Sequence, residues 1–204
     1  MPKYTLCYFP VRGVADPIRM VFHHCNVEFE QHDVPRDAWP TKKPDTPFGH
    51  LPVLGVDDKR FGETTAIARY LGEKFGIGGN TEEENLFIDS VVDATRDVLM
   101  YQLSPAHTMA EDDRKKFFET KKQEVPTHFQ FVERQLGNCK NGFLVGSKVT
   151  WADFCLYNFW NLAAEFMGDT VFDKTLNIKR HYDTVKNLPT MKSFMEKTKD
   201  LPVA

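Results

Sequence analysis

The sequence predicts two parts, a small α/β unit at the N-terminus and an all-helical unit after it. Three observations carry this. Up to residue 76, short runs of β-formers alternate with runs of 3.6-residue period, in the order strand, helix, strand, loop, strand, strand, helix. Gly76-Ile77-Gly78-Gly79-Asn80 then stacks three glycines in five residues, the best boundary candidate in the chain. Beyond it, every periodic segment reads as helix. The reading divides the chain into 1–76, a linker at 77–82, and 83–204.

Lys3–Phe9 is rich in β-formers and reads as the first strand. Ile18, Val21, Phe22 and Cys25 recur at helical spacing, with Pro17 in a first turn, where its missing N–H goes unneeded. Glu28–Val34 is the second strand. Pro35–Pro47 reads as irregular, with one helical turn around Asp37–Thr41. Pro52–Val56 and Arg60–Phe61 form a hairpin about Asp57-Asp58. Pro52 opens its strand because a residue without an N–H cannot serve inside a ladder. Ile67, Tyr70, Leu71 and Phe75 mark the next amphipathic helix.

In the second part, Phe87, Val91, Ala94, Val98 and Tyr101 follow one face of a long helix from about Glu82. A second helix is expected from Glu111 to Leu136, kinked by Pro126. Thr150 reads as an N-cap with Asp153 in the reciprocal position, and Val149 and Phe154 as the hydrophobic staple. Phe154–Met167 is apolar almost all round, which marks a central buried helix. Shorter helices near Ile178–Lys186 and Thr190–Thr198 finish the chain.

Composition narrows the function. With 204 residues, 41% hydrophobic and 27% charged, the chain is long enough for two modest domains and is not of disordered type. Lys plus Arg number 26 against 29 Asp plus Glu, and residues 1–76 carry ten of each sign, so no basic footprint for nucleic acid exists. No run approaches the roughly 20 apolar residues of a membrane span. The N-terminus begins directly on a strand pattern without signal-peptide organisation. Cys7, Cys25 and Cys155 lie in apolar segments and read as small buried hydrophobes, whereas Cys139 sits in a polar turn. None has zinc-site spacing, and a reducing cytoplasm is the natural expectation.

Tyr8 at the end of the first strand, Phe48-Gly49-His50-Leu51-Pro52-Val53-Leu54, and Glu63-Thr64 nine residues beyond Leu54 stand in register. Each alone has an ordinary reading: a half-buried strand tyrosine, a loop proline, a helix-capping pair. Together they resemble the cytosolic glutathione transferases, and the resemblance spans nearly all of the chain. It implies an α/β N-terminal thioredoxin-like domain plus an all-α C-terminal helical domain, the glutathione transferase fold. Thr150-x-x-Asp153 matches the capping box of that helical domain, which supports the fold and not the chemistry. Trp39, Lys43 and Asp93…Asp97 look most like the sigma-like class and the related nematode enzymes.

The resemblance implies reduced glutathione as co-substrate, with no other cofactor and no metal. A free thiol has a pKa of about 8.5, so little of it is nucleophilic at neutral pH. Lowering that value by about two units requires roughly 2.7 kcal/mol of preferential stabilisation of the thiolate. One charge-assisted hydrogen bond from a hydroxyl is of that size. By resemblance Tyr8 supplies it, which argues against the serine- and cysteine-using classes. The residue before a cis Pro52, here Leu51, pairs its backbone with the cysteinyl part, and Gly49 shapes the turn. His50 stands where Gln or Lys is common and flanks the turn without a proton-transfer role. Thr64, at a helix N-terminus, holds the γ-glutamyl carboxylate, and Glu63 faces its ammonium. Sigma-like members usually carry Gln-Ser here, so Glu63-Thr64 departs from them. Lys43 neutralises the glycyl carboxylate and Trp39 offers its indole N–H.

Asp89, Asp93 and Asp97 recur every four residues, a spacing that usually means a solvated acidic face. In the family this face borders the two-fold axis of a homodimer, and the residue matching Asp97 reaches the neighbour's glutathione. Arg69 would then pair with Asp89 or Asp93 of the other subunit, and Phe48 matches the aromatic that inserts into the partner. Phe9, Met100, Ser104, Cys155 and Phe159 are the expected pocket for small hydrophobic electrophiles, each also an ordinary core type. Some sigma members isomerise prostaglandin H2 to D2, but Val14 stands where an arginine often follows Arg12-Gly13, and the aromatic expected near Ser104 is absent. Alternatives to conjugation are carriage of haem or other planar hydrophobes, and a crystallin-like structural role.

Overall fold

In the computed structural model, residues 2–103, 106 and 109–203 are described, the side chains of 98–103 apart. Strand β1 (Tyr4–Tyr8) alternates buried and half-buried positions, so Tyr4, Leu6 and Tyr8 face the core while Thr5 and Cys7 face outward. Helix α1 (Asp16–His24) carries the chain over to β2 (Glu30–Asp33), which pairs parallel with β1. A short helix α2 (Trp39–Lys42) runs into a 3₁₀ turn at Lys43–Asp45. Strands β3 (Val53–Val56) and β4 (Lys59–Gly62) form the expected hairpin, and α3 (Thr64–Lys74) follows. The sheet order is β2-β1-β3-β4, with β3 antiparallel to both its neighbours. Helices α1 and α3 pack together and bury Ile18, Val21, Phe22, Ile67, Ala68 and Leu71. At Gly55 a Cβ would stand 2.2 Å from Thr5 Oγ1, so only glycine lets β3 lie against β1 there.

By internal contacts the chain divides into two compact units: residues 1–78 with 187–204, and residues 79–186. The second unit contains α4 (Glu82–Leu103), α5 (Glu111–His128), α6 (Gln130–Gly137), α7 (Trp151–Met167), a 3₁₀ turn at Asp169–Phe172, and α8 (Leu176–Lys186). Helix α9 (Pro189–Thr198) groups with the first unit, where Thr190 Oγ1 meets His24 Nδ1 at 3.0 Å. The following tail adds a hydrogen bond from Arg12 N–H to Pro202 O at 2.7 Å.

The capping box forms in full: Thr150 Oγ1 accepts from Asp153 N–H, and Asp153 accepts from Thr150 N–H at 2.7 Å. Helix α7 is the core of its unit, with Trp151, Phe154, Leu156, Tyr157 and Trp160 buried. Each such side chain contributes about 2–3 kcal/mol on burial.

Two expectations change. The single kinked helix over 111–136 is two helices that meet at Phe129, whose φ of −102° and ψ of 10° leave helical geometry. Pro126 lies just before the break, and Phe129 itself is buried edge-on against Trp160 with ring centroids 4.6 Å apart. The cysteines also change places. Cys139 is buried, with Leu144 O 3.3 Å from its sulfur, while Cys7 and Cys25 are only half-buried. A thiol small enough to close a tight turn is drawn in by the carbonyls around it.

Candidate active site

The end of β1 delivers Tyr8 into a cluster with Val11 and Ala15, against which Phe9 and Leu51 also pack. Tyr8 is only 4% exposed. Burial pushes its phenol above the usual tyrosine range, a backbone hydrogen bond from Val14 opposes this, and Asp16 adds to the rise. Arg19 and Arg36 act the other way. The net rise keeps the phenol protonated at neutral pH. The Val14 backbone counts among the groups that favour its ionised form, and the protonated phenol keeps an O–H to donate.

Beneath Tyr8 lies a charged pair that the hydrophobic periodicity of α1 does not reveal. Arg19 sits with its guanidinium 5.4 Å from the Tyr8 ring centroid and bonds Asp16 Oδ1 at 2.7 Å and Val11 O at 2.9 Å. Asp16 Oδ2 accepts from Gly13 N–H at 3.2 Å. Burial raises the Asp16 carboxyl, and Arg19 offsets part of that rise. The pair thus ties the Pro10–Ala15 loop to α1. Its signal in the sequence is an acid and a base three residues apart in a first turn, easily taken for a surface pair.

Trp39, at the start of α2, stands edge-on to Phe9 with ring centroids 5.7 Å apart, and the Arg36 guanidinium covers the same Phe9 ring at 5.2 Å. Lys43 is exposed, and its Cε lies 3.5 Å from where a Cβ on Gly49 would be. Gly49 has φ of +71°, a conformation open to glycine at no steric cost. His50 is exposed and Pro52 buried, and the Leu51–Pro52 bond is cis. Glu63 has φ of 71° and ψ of 109°, and it stands as N-cap of α3 without a side-chain cap bond. Thr64 is the first residue of that helix.

The first unit therefore gathers Tyr8, Phe9, Trp39 and Leu51 about one cluster, with Lys43 beside Gly49. Asp89, Asp93 and Asp97 lie along α4 of the other unit, Asp93 and Asp97 exposed and Asp89 half-buried. On α7, Cys155 is wholly buried and Phe159 half-buried. Met100 lies on α4 with its side chain outside the description, and Ser104 is outside the described residues.

Two family models match this chain: the N-terminal domain of glutathione S-transferase over residues 14–74, and its C-terminal domain over 96–198. Glutathione S-transferase 4 of Caenorhabditis elegans is 35% identical over 206 residues, covering 98% of this chain and 99% of that protein. Among solved structures, the glutathione S-transferase from Ascaris lumbricoides superposes with a TM-score of 0.87 at 32% identity, covering 97% of this chain and 98% of that one. A structure titled as monomeric Na-GST-3, a glutathione S-transferase of the hookworm Necator americanus, gives a TM-score of 0.85 at 34% identity, covering 96% of this chain and 97% of that one. With both domains matched and relatives covered end to end, the chain belongs to the glutathione S-transferase family and is a transferase enzyme.

Proposed function

We propose that this enzyme ionises glutathione at Tyr8 and conjugates the thiolate to small hydrophobic electrophiles, a detoxifying reaction. The observation that carries this is the setting of Tyr8: buried at the end of β1, packed with Val11 and Ala15 against Phe9 and Leu51, with burial holding its phenol above the usual range. A neutral phenol so held has one proton to give, and a sulfur anion gains most from it. Residues 1–76 hold the tripeptide in this reading, and residues 83–204 supply the electrophile pocket and the dimer interface.

The surroundings support a tripeptide laid along the cluster. Lys43, over Gly49, suits the glycyl carboxylate, and Trp39 offers an indole N–H. The backbone of Leu51, fixed by Pro52, serves the cysteinyl part, with His50 flanking the turn. The N–H of Thr64 opens α3 toward an anion, and Glu63 takes the γ-glutamyl ammonium. Asp97 of a second subunit completes that end in a homodimer. Phe9, Met100, Ser104, Cys155 and Phe159 remain the proposed lining for the electrophile. Four free cysteines suit a reducing cytoplasm, and no helix among the described residues is long and apolar enough to cross a membrane.

The test is conjugation of 1-chloro-2,4-dinitrobenzene by the purified protein beside its Tyr8→Phe variant. Loss of the hydroxyl should lower the rate at neutral pH by at least about tenfold, since the thiol returns toward its free pKa. Haem binding, the mark of a carrier of planar ligands, should be the same in both. Equal conjugation rates would remove the tyrosine mechanism.

A further inference from the structure

The parallel register of β1 and β2 sets Cys7 opposite His32 and Thr5 opposite Glu30. Side chains alternate along a strand, so Cys7, His32 and Glu30 share one face of the sheet, and Tyr8 uses the other. On that outer face His32 Nε2 lies 2.7 Å from Glu30 Oε1, and His32 Nδ1 lies 3.9 Å from Cys7 Sγ. Lys3 Nζ holds the same carboxylate at 2.9 Å. Hydrogen bonds from Lys3 and His32 keep Glu30 below the usual carboxylate range, so it is ionised and can only accept. In the neutral ring, the tautomer with its proton on Nε2 satisfies Glu30 and turns the Nδ1 lone pair to the thiol. A nucleophile, a base and a carboxylate that orients the base stand in line.

We propose that Cys7, His32 and Glu30 form a second thiol site, at which Cys7 exchanges with small-molecule disulfides. His32 Nδ1 takes the Cys7 proton, and the thiolate attacks one sulfur of the disulfide. The S–S bond breaks, Cys7 and that sulfur form a mixed disulfide, and the departing thiolate recovers the proton from His32. One thiol and one disulfide are consumed and one of each is produced, so no other oxidant enters.

Cys25 is a built-in comparator. Both thiols are half-buried, and burial raises each. Only Cys7 also has cations that lower it, Arg60 from β4 and Lys42 from α2. Exposure alone predicts equal reactivity; the relay predicts that Cys7 leads.

The experiment is incubation of the folded protein with glutathione disulfide at neutral pH, followed by peptide mass spectrometry to locate the mixed disulfide over time. Cys7 should react at least about a hundredfold faster than Cys25, the lower end of what a positioned base contributes. His32→Gln should bring Cys7 most of the way down to the Cys25 rate, the share from Arg60 and Lys42 remaining, while conjugation activity and the Cys25 rate hold. Glu30→Gln, a positioning change, should lower the Cys7-to-Cys25 ratio and move the ¹⁵N shifts of the His32 ring, which report the nitrogen that carries the proton. Equal rates at Cys7 and Cys25 in the unaltered protein would overturn the proposal, and that comparison needs no variant. A Cys7 rate untouched by His32→Gln would overturn it too.

Discussion

Glu63 holds its backbone where few side chains go. Among the described residues, three other than glycine have positive φ: Asn26 at 51°, Asp57 at 55° and Glu63 at 71°. Asn and Asp tolerate this region through short local hydrogen bonds, a route that the longer Glu side chain serves less well. A residue so placed costs about 1–3 kcal/mol, and such strain collects where a turn must aim a group. Here the turn aims the first N–H groups of α3. Glu63→Gly should therefore raise stability by about 0.5–1 kcal/mol, the relief being partly offset by glycine's greater freedom when unfolded. The same change should weaken glutathione binding, because the carboxylate is gone and the turn slackens. Urea unfolding beside a glutathione titration checks both; a less stable variant would mean the turn is not strained.

At the scale of elements, the α1–α9 contact carries a pH dependence. His24 meets Thr190 there, and His23 faces the Phe194 ring with centroids 6.1 Å apart. Burial lowers both imidazoles from 6.5; Lys197 lowers His23 further and His23 lowers His24. A folded-state value below the unfolded one means the unfolded chain takes up protons first as pH falls. The contribution is thus present above pH 6.5 and is lost as pH falls through the lower folded-state values. The urea midpoint should drop from about pH 7.5 to about pH 5.5, and His24→Gln should remove part of that drop. A drop of the same size in the variant would place the titration elsewhere. This contact also marks what the sequence left unread. The order of elements along the chain, the hairpin and the capping box follow from alternation, turn residues and spacing, all local signals. The partner of α9, the burial of Asp16 with Arg19, and the break at Phe129 depend on what packs against each segment. For the same reason Tyr8, Leu51 and Pro52 are legible as a pattern, whereas the Arg19 guanidinium over the Tyr8 ring is not.

Among the described residues, one open groove gathers exposed aromatic side chains. Phe48, Phe61 and Tyr70 are 64%, 46% and 41% exposed, and all three line one groove of about 740 Å³ with Arg60 and Ala66. Aromatic side chains gathered on one open groove favour a protein partner over water. On α4, Asp89, Asp93 and Asp97 stack like charges at four-residue spacing, which costs a few tenths of a kcal/mol per pair in an isolated helix. A second copy would cover the groove, and in the dimer proposed above it would bring Arg69 toward the acidic stripe. Sedimentation at micromolar concentration should give about twice the 23.6 kDa of one chain. Phe48→Ser, a change at an exposed position, should shift the equilibrium toward monomers and, on the role proposed for Asp97, weaken glutathione binding in step. The hookworm relative described as monomeric makes the alternative concrete. If this protein also sediments as one chain, the roles given to Asp97, Arg69 and Phe48 fall together, while the Tyr8 mechanism stands untouched within its own unit.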